Sequence, residues 1–194
     1  MRKVLVFGSA LFLLTVASVP KAYSQVELFG GYSHLQLNGA PPNIGSSSNG
    51  WEGGAYLHLL GPWGIDADYS NHYGVSPNSF SPGYYVPRFT ELYGPRFTLS
   101  LPKIHPFVHA LFGTVHGETA EPPIGAPCTP LGCPSPKLSE NAFGMALGGG
   151  INVKATRHVW VRLIQVDYLR AQFTNNAQND TRISAGLVFR FGEW

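Results

Sequence analysis

Apolar and polar side chains alternate with a period of two residues in eight separate segments of this chain. In residues 97–101 and 182–191 the alternation is nearly unbroken, with Val188 as the main exception. Successive side chains of a β-strand point to opposite faces, so each segment predicts a strand with one apolar face and one polar or small face. The predicted strands cover residues 26–37, 50–60, 63–73, 91–101, 106–117, 141–153, 158–170 and 181–191.

Strand length and connection length together predict an all-β transmembrane fold. Most segments have about ten to thirteen residues, more than the five or six of a typical soluble strand and close to the roughly 9–11 that a tilted strand needs to cross a bilayer. The connections alternate between long and short, which is typical of an eight-stranded antiparallel up-and-down barrel with long extracellular loops and short periplasmic turns. The long connections are 38–49, 74–90, 118–140 and 171–180, and the short ones are 61–62, 102–105 and 155–157.

Charged residues on the inward faces of such a barrel need partners, because an unpaired buried charge is costly. The alternation places Asp66 and Asp68 on one face of the third strand, and arginines on the inward faces of the fourth and eighth. At this spacing the two carboxylates would lie about 7 Å apart, a distance that a glycosidase pair also shows, but nothing else supports that chemistry. The sequence therefore predicts an interior charge network of Asp66, Asp68, Arg96, Arg182 and Arg190.

The sixth and seventh strands refine the picture of the two faces. On the sixth strand the predicted outward residues are Phe143, Met145, Leu147, Ile151 and Val153. The predicted inward residues are small, which would leave room for the arginines, and are Ala142, Gly144, Ala146, Gly148, Gly150 and Asn152. On the seventh strand Arg162 falls on the opposite face from Gln165 and Asp167. A β-bulge would bring all three to one face, and an incorrect register is the alternative.

Aromatic residues cluster near the ends of the predicted strands, as the interfacial girdles of a membrane barrel require. The expected outer girdle contains Trp51, Tyr69, Tyr73 and Tyr168, and the expected inner girdle contains Trp63, Phe107, Trp160 and Phe191. The alternative is that these rings form the core of a soluble barrel.

The first residues predict export. Arg2 and Lys3 form a basic start, residues 4–19 are apolar, and residues 22–24 offer small side chains for cleavage, so residues 1–24 are predicted to be a cleaved signal peptide. An uncleaved membrane anchor is the alternative. The remaining barrel domain, residues 25–194, has ten basic and eleven acidic residues. This nearly neutral balance gives no basic patch for nucleic acid.

Two cysteines, Cys128 and Cys133, lie in the third long connection. Because an exported protein matures in an oxidising compartment and the spacer between the cysteines contains proline and glycine, a local disulfide is predicted. Two free thiols are the alternative, and a metal site is disfavoured because no second Cys or His pair lies nearby.

No catalytic, cofactor-binding or metal site is predicted. A hydrolase needs a nucleophile beside a histidine base and an orienting carboxylate. Ser33 and His34 are neighbours in sequence and so point to opposite faces, whereas His116 and Glu118 share a face that offers no obvious serine.

The chain resembles the eight-stranded outer-membrane barrels of the outer-membrane protein A type. The resemblance covers the whole chain after residue 24 and is carried by residues 26–33, 106–113, 148–151, 166–168 and the last strand up to Phe191. It implies an outer-membrane barrel inserted by the barrel-assembly machinery, which reads a terminal aromatic residue, here Phe191 or Trp194. The larger relatives carry a C-terminal peptidoglycan-binding domain that has no counterpart here, so a wall-tethering role is not expected.

The expected function is that of a non-enzymatic integral outer-membrane protein with a role in envelope integrity or adhesion and at most a narrow pore. Its expected partners are outer-membrane lipid and lipopolysaccharide, and an unidentified extracellular partner bound through the loops. Tyr84, Tyr85 and Arg88 are the candidate loop contacts, on composition alone. The alternatives are a soluble lipocalin-like barrel for a small apolar ligand and a lipid-modifying outer-membrane enzyme.

Overall fold

The structure, a computed structural model, describes residues 25–38, 46–73, 85–120, 137–174 and 177–192. Several predicted features therefore lie outside the described residues: the signal peptide 1–24, Tyr84, Cys128, Cys133 and Trp194. The described residues form no helix that is long and apolar enough to cross a membrane.

Eight antiparallel strands pair in sequence order and close into a barrel. Closure is made by the first and last strands, which pair from Val26 with Phe191 to Gln36 with Thr181. The predicted eight-stranded antiparallel barrel is therefore confirmed. The strands are β1 Val26–Gln36, β2 Ser47–Leu60, β3 Trp63–Tyr73, β4 Val86–Thr98, β5 Ile104–Ala120, β6 Lys137–Lys154, β7 Val159–Gln172 and β8 Ala177–Phe191.

The strands run further into the long connections than the alternation of side chains predicts. Strand β4 begins at Val86 instead of residue 91, β6 begins at Lys137 instead of residue 141, and β8 begins at Ala177 instead of residue 181. Backbone pairing depends little on side-chain polarity, so the ladders continue where the apolar alternation has already ended. At the other end β4 stops at Thr98, which leaves Leu99 and Leu101 in a turn.

A β-bulge in β7 resolves the conflict of faces in that strand. The register shifts between Arg162 and Gln165, where β7 pairs with β8. Leu163 and Ile164 both point outward, with 58% and 44% of their surface exposed, while Arg162, Gln165 and Asp167 all point inward. The extra outward residue shifts the alternation of side chains by one position, as a β-bulge does.

The two ends of the barrel are distinct. The connections at residues 61–62, 99–103 and 155–158 join strands at what is here called the turn end, and the other four connections lie at the loop end. Gly61 adopts a positive φ of 59° in the first turn, a conformation that glycine adopts without steric cost.

Candidate functional site

Charged and polar side chains from all eight strands fill the middle and the turn end of the barrel interior. Each is almost fully buried, with at most 6% of its surface exposed. The set contains five carboxylates, four guanidinium groups and one imidazole, here called the interior network. Its members are Glu27, Glu52, Asp66, Asp68, Arg96, His109, Asn152, Arg162, Gln165, Asp167, Arg182 and Arg190.

Arg182 on β8 is the hub of the interior network. Its Nη1 lies 2.7 Å from Asp68 Oδ1 and its Nη2 lies 2.6 Å from Asp167 Oδ2. Its Nε lies 3.4 Å from Glu52 Oε2, and Ser70 Oγ accepts a further hydrogen bond from Nη1 at 3.1 Å. One guanidinium thus neutralises acids from three other strands, and it has no exposed surface. Arg182 and Asp68, which strand alternation assigned to the interior without a specific partner, are in direct contact.

Arg96 and Arg190 share a carboxylate that the sequence analysis did not select. Glu27 on β1 lies 3.2 Å from Arg96 Nη2 and 2.6 Å from Arg190 Nη2. Arg96 also reaches Asp66, at 3.7 Å, whereas the ion pair of Arg190 is with Glu27 and not with the predicted aspartates. The alternation could have assigned Glu27 to the interior, because Glu27 lies between two outward residues, Val26 and Leu28.

His109 bridges two carboxylates across the interior. Its Nδ1 lies 3.1 Å from Asp66 Oδ2, and its Nε2 lies 2.8 Å from Asp167 Oδ1. Ionised carboxylates only accept hydrogen bonds, so both ring nitrogens must donate, which is the imidazolium form. With His109 as a cation, the interior network contains five basic groups and five carboxyl groups.

Two aromatic residues predicted for the inner girdle lie inside the barrel instead. Phe107 and Trp160 are only 3% and 4% exposed. The guanidinium carbon of Arg96 lies 3.8 Å from the centre of the Phe107 ring, and that of Arg190 lies 3.6 Å from the Trp160 ring. Both rings face inward because side chains alternate along a strand. Phe107 lies on the same face of its strand as His109, and Trp160 lies on the same face of its strand as Arg162. These rings stabilise buried cations through cation–π contact.

The small residues of β6 make room for interior side chains, though not chiefly for the arginines as predicted. A Cβ at Gly148 would overlap the carboxylate of Asp167, and a Cβ at Gly150 would meet the Phe107 ring. Strand β6 therefore has glycine at the positions where buried side chains of the neighbouring strands pack closely against its backbone.

Apolar side chains fill part of the barrel interior at the loop end. They pack above the interior network in one cluster, in which Leu92, Leu111, Val115 and Leu169 have no exposed surface. Buried polar side chains such as His72 and Asp180 lie beside this cluster, so the described lumen is filled by side chains at both ends. The cluster comprises Leu35, Leu37, Tyr85, Val86, Leu92, Leu111, Val115, Ala142, Ala146, Leu169, Ala171 and Phe173.

The outer surface of the barrel carries an apolar band with a sharp limit toward the loop end. On each strand the outward residues are apolar up to one position, and the next outward residue is polar. The last apolar positions, seven aromatic residues and one isoleucine, are here called the aromatic collar: Tyr32, Trp51, Tyr69, Tyr93, Phe112, Phe143, Tyr168 and Ile183. The polar positions that follow, here called the polar row, are His34, Asn49, Asn71, Glu91, Thr114, Asn141, Arg170 and Thr181.

Two of the candidate loop contacts lie within the described residues, and neither is a free surface group. Tyr85 was expected to be exposed, but it is only 7% exposed because its ring stacks on Phe173, with 4.5 Å between ring centres. Arg88 lies in β4, not in a loop, and its Nε donates a hydrogen bond to Glu118 Oε2 at 2.9 Å.

One arrangement with the elements of a catalytic pair exists in the interior. Ser33 Oγ and His72 Nε2, from β1 and β3, lie 3.0 Å apart. Both residues have no exposed surface, and His72 Nδ1 has no hydrogen-bond partner, so no carboxylate orients the imidazole. A substrate cannot reach this pair in the described arrangement. Among the described residues, no group of three His, Cys, Asp or Glu side chains is placed to hold a metal ion.

Solved structures with the same fold include bacterial outer-membrane barrels. The attachment invasion locus protein Ail of Yersinia pestis aligns at a TM-score of 0.51 with 14% identity, over 87% of this chain and 97% of that chain. Neisserial surface protein A aligns at 0.55 with 11% identity over the same shares. The N-terminal barrel domain of Pseudomonas aeruginosa OprF aligns at 0.50 with 10% identity, over 86% and 97%. No protein-family model and no curated protein sequence matches the chain.

Proposed function

We propose that this protein is a non-enzymatic integral barrel of the bacterial outer membrane, with its loop end facing the cell exterior. The observation that carries the proposal is the distribution of polarity across the barrel wall. The outer surface is an apolar band that ends in the aromatic collar, and the inner surface holds the interior network. Lipid would cover the band, and the collar would lie at the level where hydrocarbon meets headgroups.

The same distribution disfavours a soluble barrel that binds an apolar ligand. Such a barrel needs apolar residues inside and polar residues outside. Here outward side chains such as Leu187, Phe189 and Val108 expose 44–59% of their surface, whereas Arg96 and Arg182 have 1% and 0% exposed. The Ser33–His72 pair is buried, so this pair does not support the enzymatic alternative.

The filling of the lumen by buried side chains predicts a barrel that conducts no steady ion current. Eight strands enclose a space that side chains just fill, and here an apolar cluster and buried polar side chains lie above the interior network. In a planar bilayer the purified, refolded protein is expected to give no stepwise conductance. The same protein added in unfolded form is the control and is also expected to give none. Reproducible open-channel steps from the refolded protein alone would show that the lumen opens.

The loops are then the part of the molecule that faces other cells or molecules. Ail, which has this fold, is an attachment invasion locus protein. This is a fold-level analogy, and it favours adhesion or envelope integrity as the role of this chain. Lipid and lipopolysaccharide are the expected neighbours of the band. Residues 1–24 act in this proposal as the export signal, and Phe191 or Trp194 as the residue that the barrel-assembly machinery recognises.

The sidedness of the barrel and the proposed Cys128–Cys133 disulfide can be tested together. Intact cells are treated with a membrane-impermeant maleimide, with and without prior reduction by an impermeant phosphine. Labelling is expected only after reduction, because an outward loop would carry the two sulfurs as a disulfide. The variant C128S/C133S is the control for background.

Each other outcome contradicts one part of the proposal. Labelling of intact cells without reduction would show free thiols in an outward loop. Labelling only after cell lysis and reduction would place this loop in the periplasm and overturn the orientation.

A further inference from the structure

The outer face of β1, β2 and β3 carries a recess at the level of the aromatic collar. It has a volume of about 490 Å³ and is lined by Tyr32, Asn49, Gly50, Trp51 and Tyr73. This surface is here called the Trp51 recess. It is a shallow and open part of the outer surface, not an enclosed cavity.

Tyr73 distinguishes the Trp51 recess from an ordinary part of the collar. On β3 the apolar band ends at Tyr69, and Asn71 belongs to the polar row. Tyr73 lies one outward position beyond Asn71, yet 54% of its surface is exposed. An exposed ring beyond the limit of the band is not needed for contact with hydrocarbon, so the ring is available to a ligand at the level of the headgroups.

Hydrogen bonds hold the polar groups of the recess in place. Trp51 Nε1 donates to the hydroxyl of Tyr73 at 3.1 Å, and the hydroxyl of Tyr32 donates to Asn49 Oδ1 at 2.7 Å. His34 Nδ1 donates to the same Asn49 oxygen at 2.7 Å. The Tyr69 ring supports the Trp51 ring from the side, with 5.4 Å between ring centres. A preorganised site loses less entropy when a ligand binds.

The chemistry of the lining selects the class of ligand. All five lining residues are uncharged, so the recess offers no cation to pair with a phosphate. It offers aromatic faces, on which the C–H face of a sugar ring can pack, and amide and hydroxyl groups, which can donate to and accept from sugar hydroxyls. The recess opens sideways at the upper limit of the apolar band, where the sugars of an outer-leaflet glycolipid would lie.

We propose that the Trp51 recess binds a sugar ring of a lipopolysaccharide molecule in the surrounding outer leaflet, through Trp51, Tyr73 and Asn49. This inference rests on the proposed function, since it requires that the loop end lies in the outer leaflet. Lipopolysaccharide would then bind one side of the barrel, at β1 to β3, in preference to the other sides.

The test compares two double variants that each remove two outward rings near this level. W51L/Y73L removes the rings of the Trp51 recess, and F143L/Y168L removes two collar rings from β6 and β7. The measurement is the midpoint temperature at which the protein in mixed micelles changes from its cold to its boiled mobility in SDS gels. Rough lipopolysaccharide, the same lipopolysaccharide after dephosphorylation, and phosphatidylethanolamine are titrated in turn.

Both lipopolysaccharide forms are expected to raise the midpoint of wild type and F143L/Y168L by several degrees, because a ligand that binds only the folded state stabilises it. W51L/Y73L is expected to need at least a tenfold higher concentration for half of that shift.

Equal shifts in the two variants would overturn the site. A shift that disappears on dephosphorylation would indicate recognition of phosphate, and an equal shift with phosphatidylethanolamine would indicate ordinary lipid contact. If wild type shows a mobility change but no response to lipopolysaccharide, the inference fails and the membrane barrel stands; if it shows no mobility change, the proposed function itself fails.

Discussion

Replacing Arg182 with methionine is expected to lower the free energy of unfolding of the refolded barrel by about 3–5 kcal/mol, the usual cost of breaking a buried ion pair from one side. Methionine keeps the volume of the side chain but removes the partner of Asp68, Asp167 and Glu52, all of which are buried. The measurement is equilibrium unfolding in denaturant, in micelles or vesicles.

Arg170 provides the matched control for this substitution. It lies on the outer surface of β7, in the polar row, and is exposed. R170M is expected to change stability by no more than about 0.5 kcal/mol. Adding D68N to R182M should recover part of the loss, because the ion pair of Asp68 among the described residues is with Arg182, and the double variant no longer buries that unpaired charge. If R182M were as stable as R170M, Arg182 would not be the hub of the interior network.

Placing an arginine in the middle of the outer band is expected to destabilise the membrane-inserted barrel by about 2–4 kcal/mol, the cost for a charged residue at the bilayer midplane. Leu187 on β8 is suitable because it points outward with 46% of its surface exposed. In a soluble protein an exposed leucine would accept arginine at little cost. L187R in phospholipid vesicles, measured by denaturant unfolding, therefore reports directly on whether lipid covers the band.

Thr181 gives the control at a different depth on the same face of the same strand. It belongs to the polar row, so T181R is expected to cost at most about 1 kcal/mol. Similar values for L187R and T181R would mean that the band does not lie in hydrocarbon.

The strands and the faces of the barrel could be predicted because each depends on a local rule. The alternation in β8 assigns Arg182 and Arg190 to the interior without knowledge of any partner, and the small residues of β6 are recognisable from the same parity. The same alternation would also have assigned Phe107 and Trp160 to the interior. They were instead expected in the girdle because they are aromatic and lie near a strand end. For these two residues strand parity was the stronger constraint.

The pairing within the interior network could not be predicted, since it depends on strand register and on side-chain reach across the lumen. Glu27 and His105 meet Arg190 from β1 and β5, and His109 joins Asp66 to Asp167 across three strands. The bulge after Arg162 lets Arg162 and Gln165 face the interior together, and Arg162 Nη1 donates to Gln165. The Trp51 recess likewise combines β1, β2 and β3, so no single segment of sequence contains it.

Whether this protein is a folded barrel of the outer membrane is tested by its mobility in SDS gels, with and without boiling, after isolation from a purified outer-membrane fraction. A closed barrel whose outer band binds detergent in place of lipid is expected to stay folded in cold SDS and to migrate differently after boiling. Recovery in the outer-membrane fraction together with this shift is the predicted result. Recovery in a soluble fraction with identical mobility in both samples would contradict the account, because the apolar band would then have no lipid to cover it.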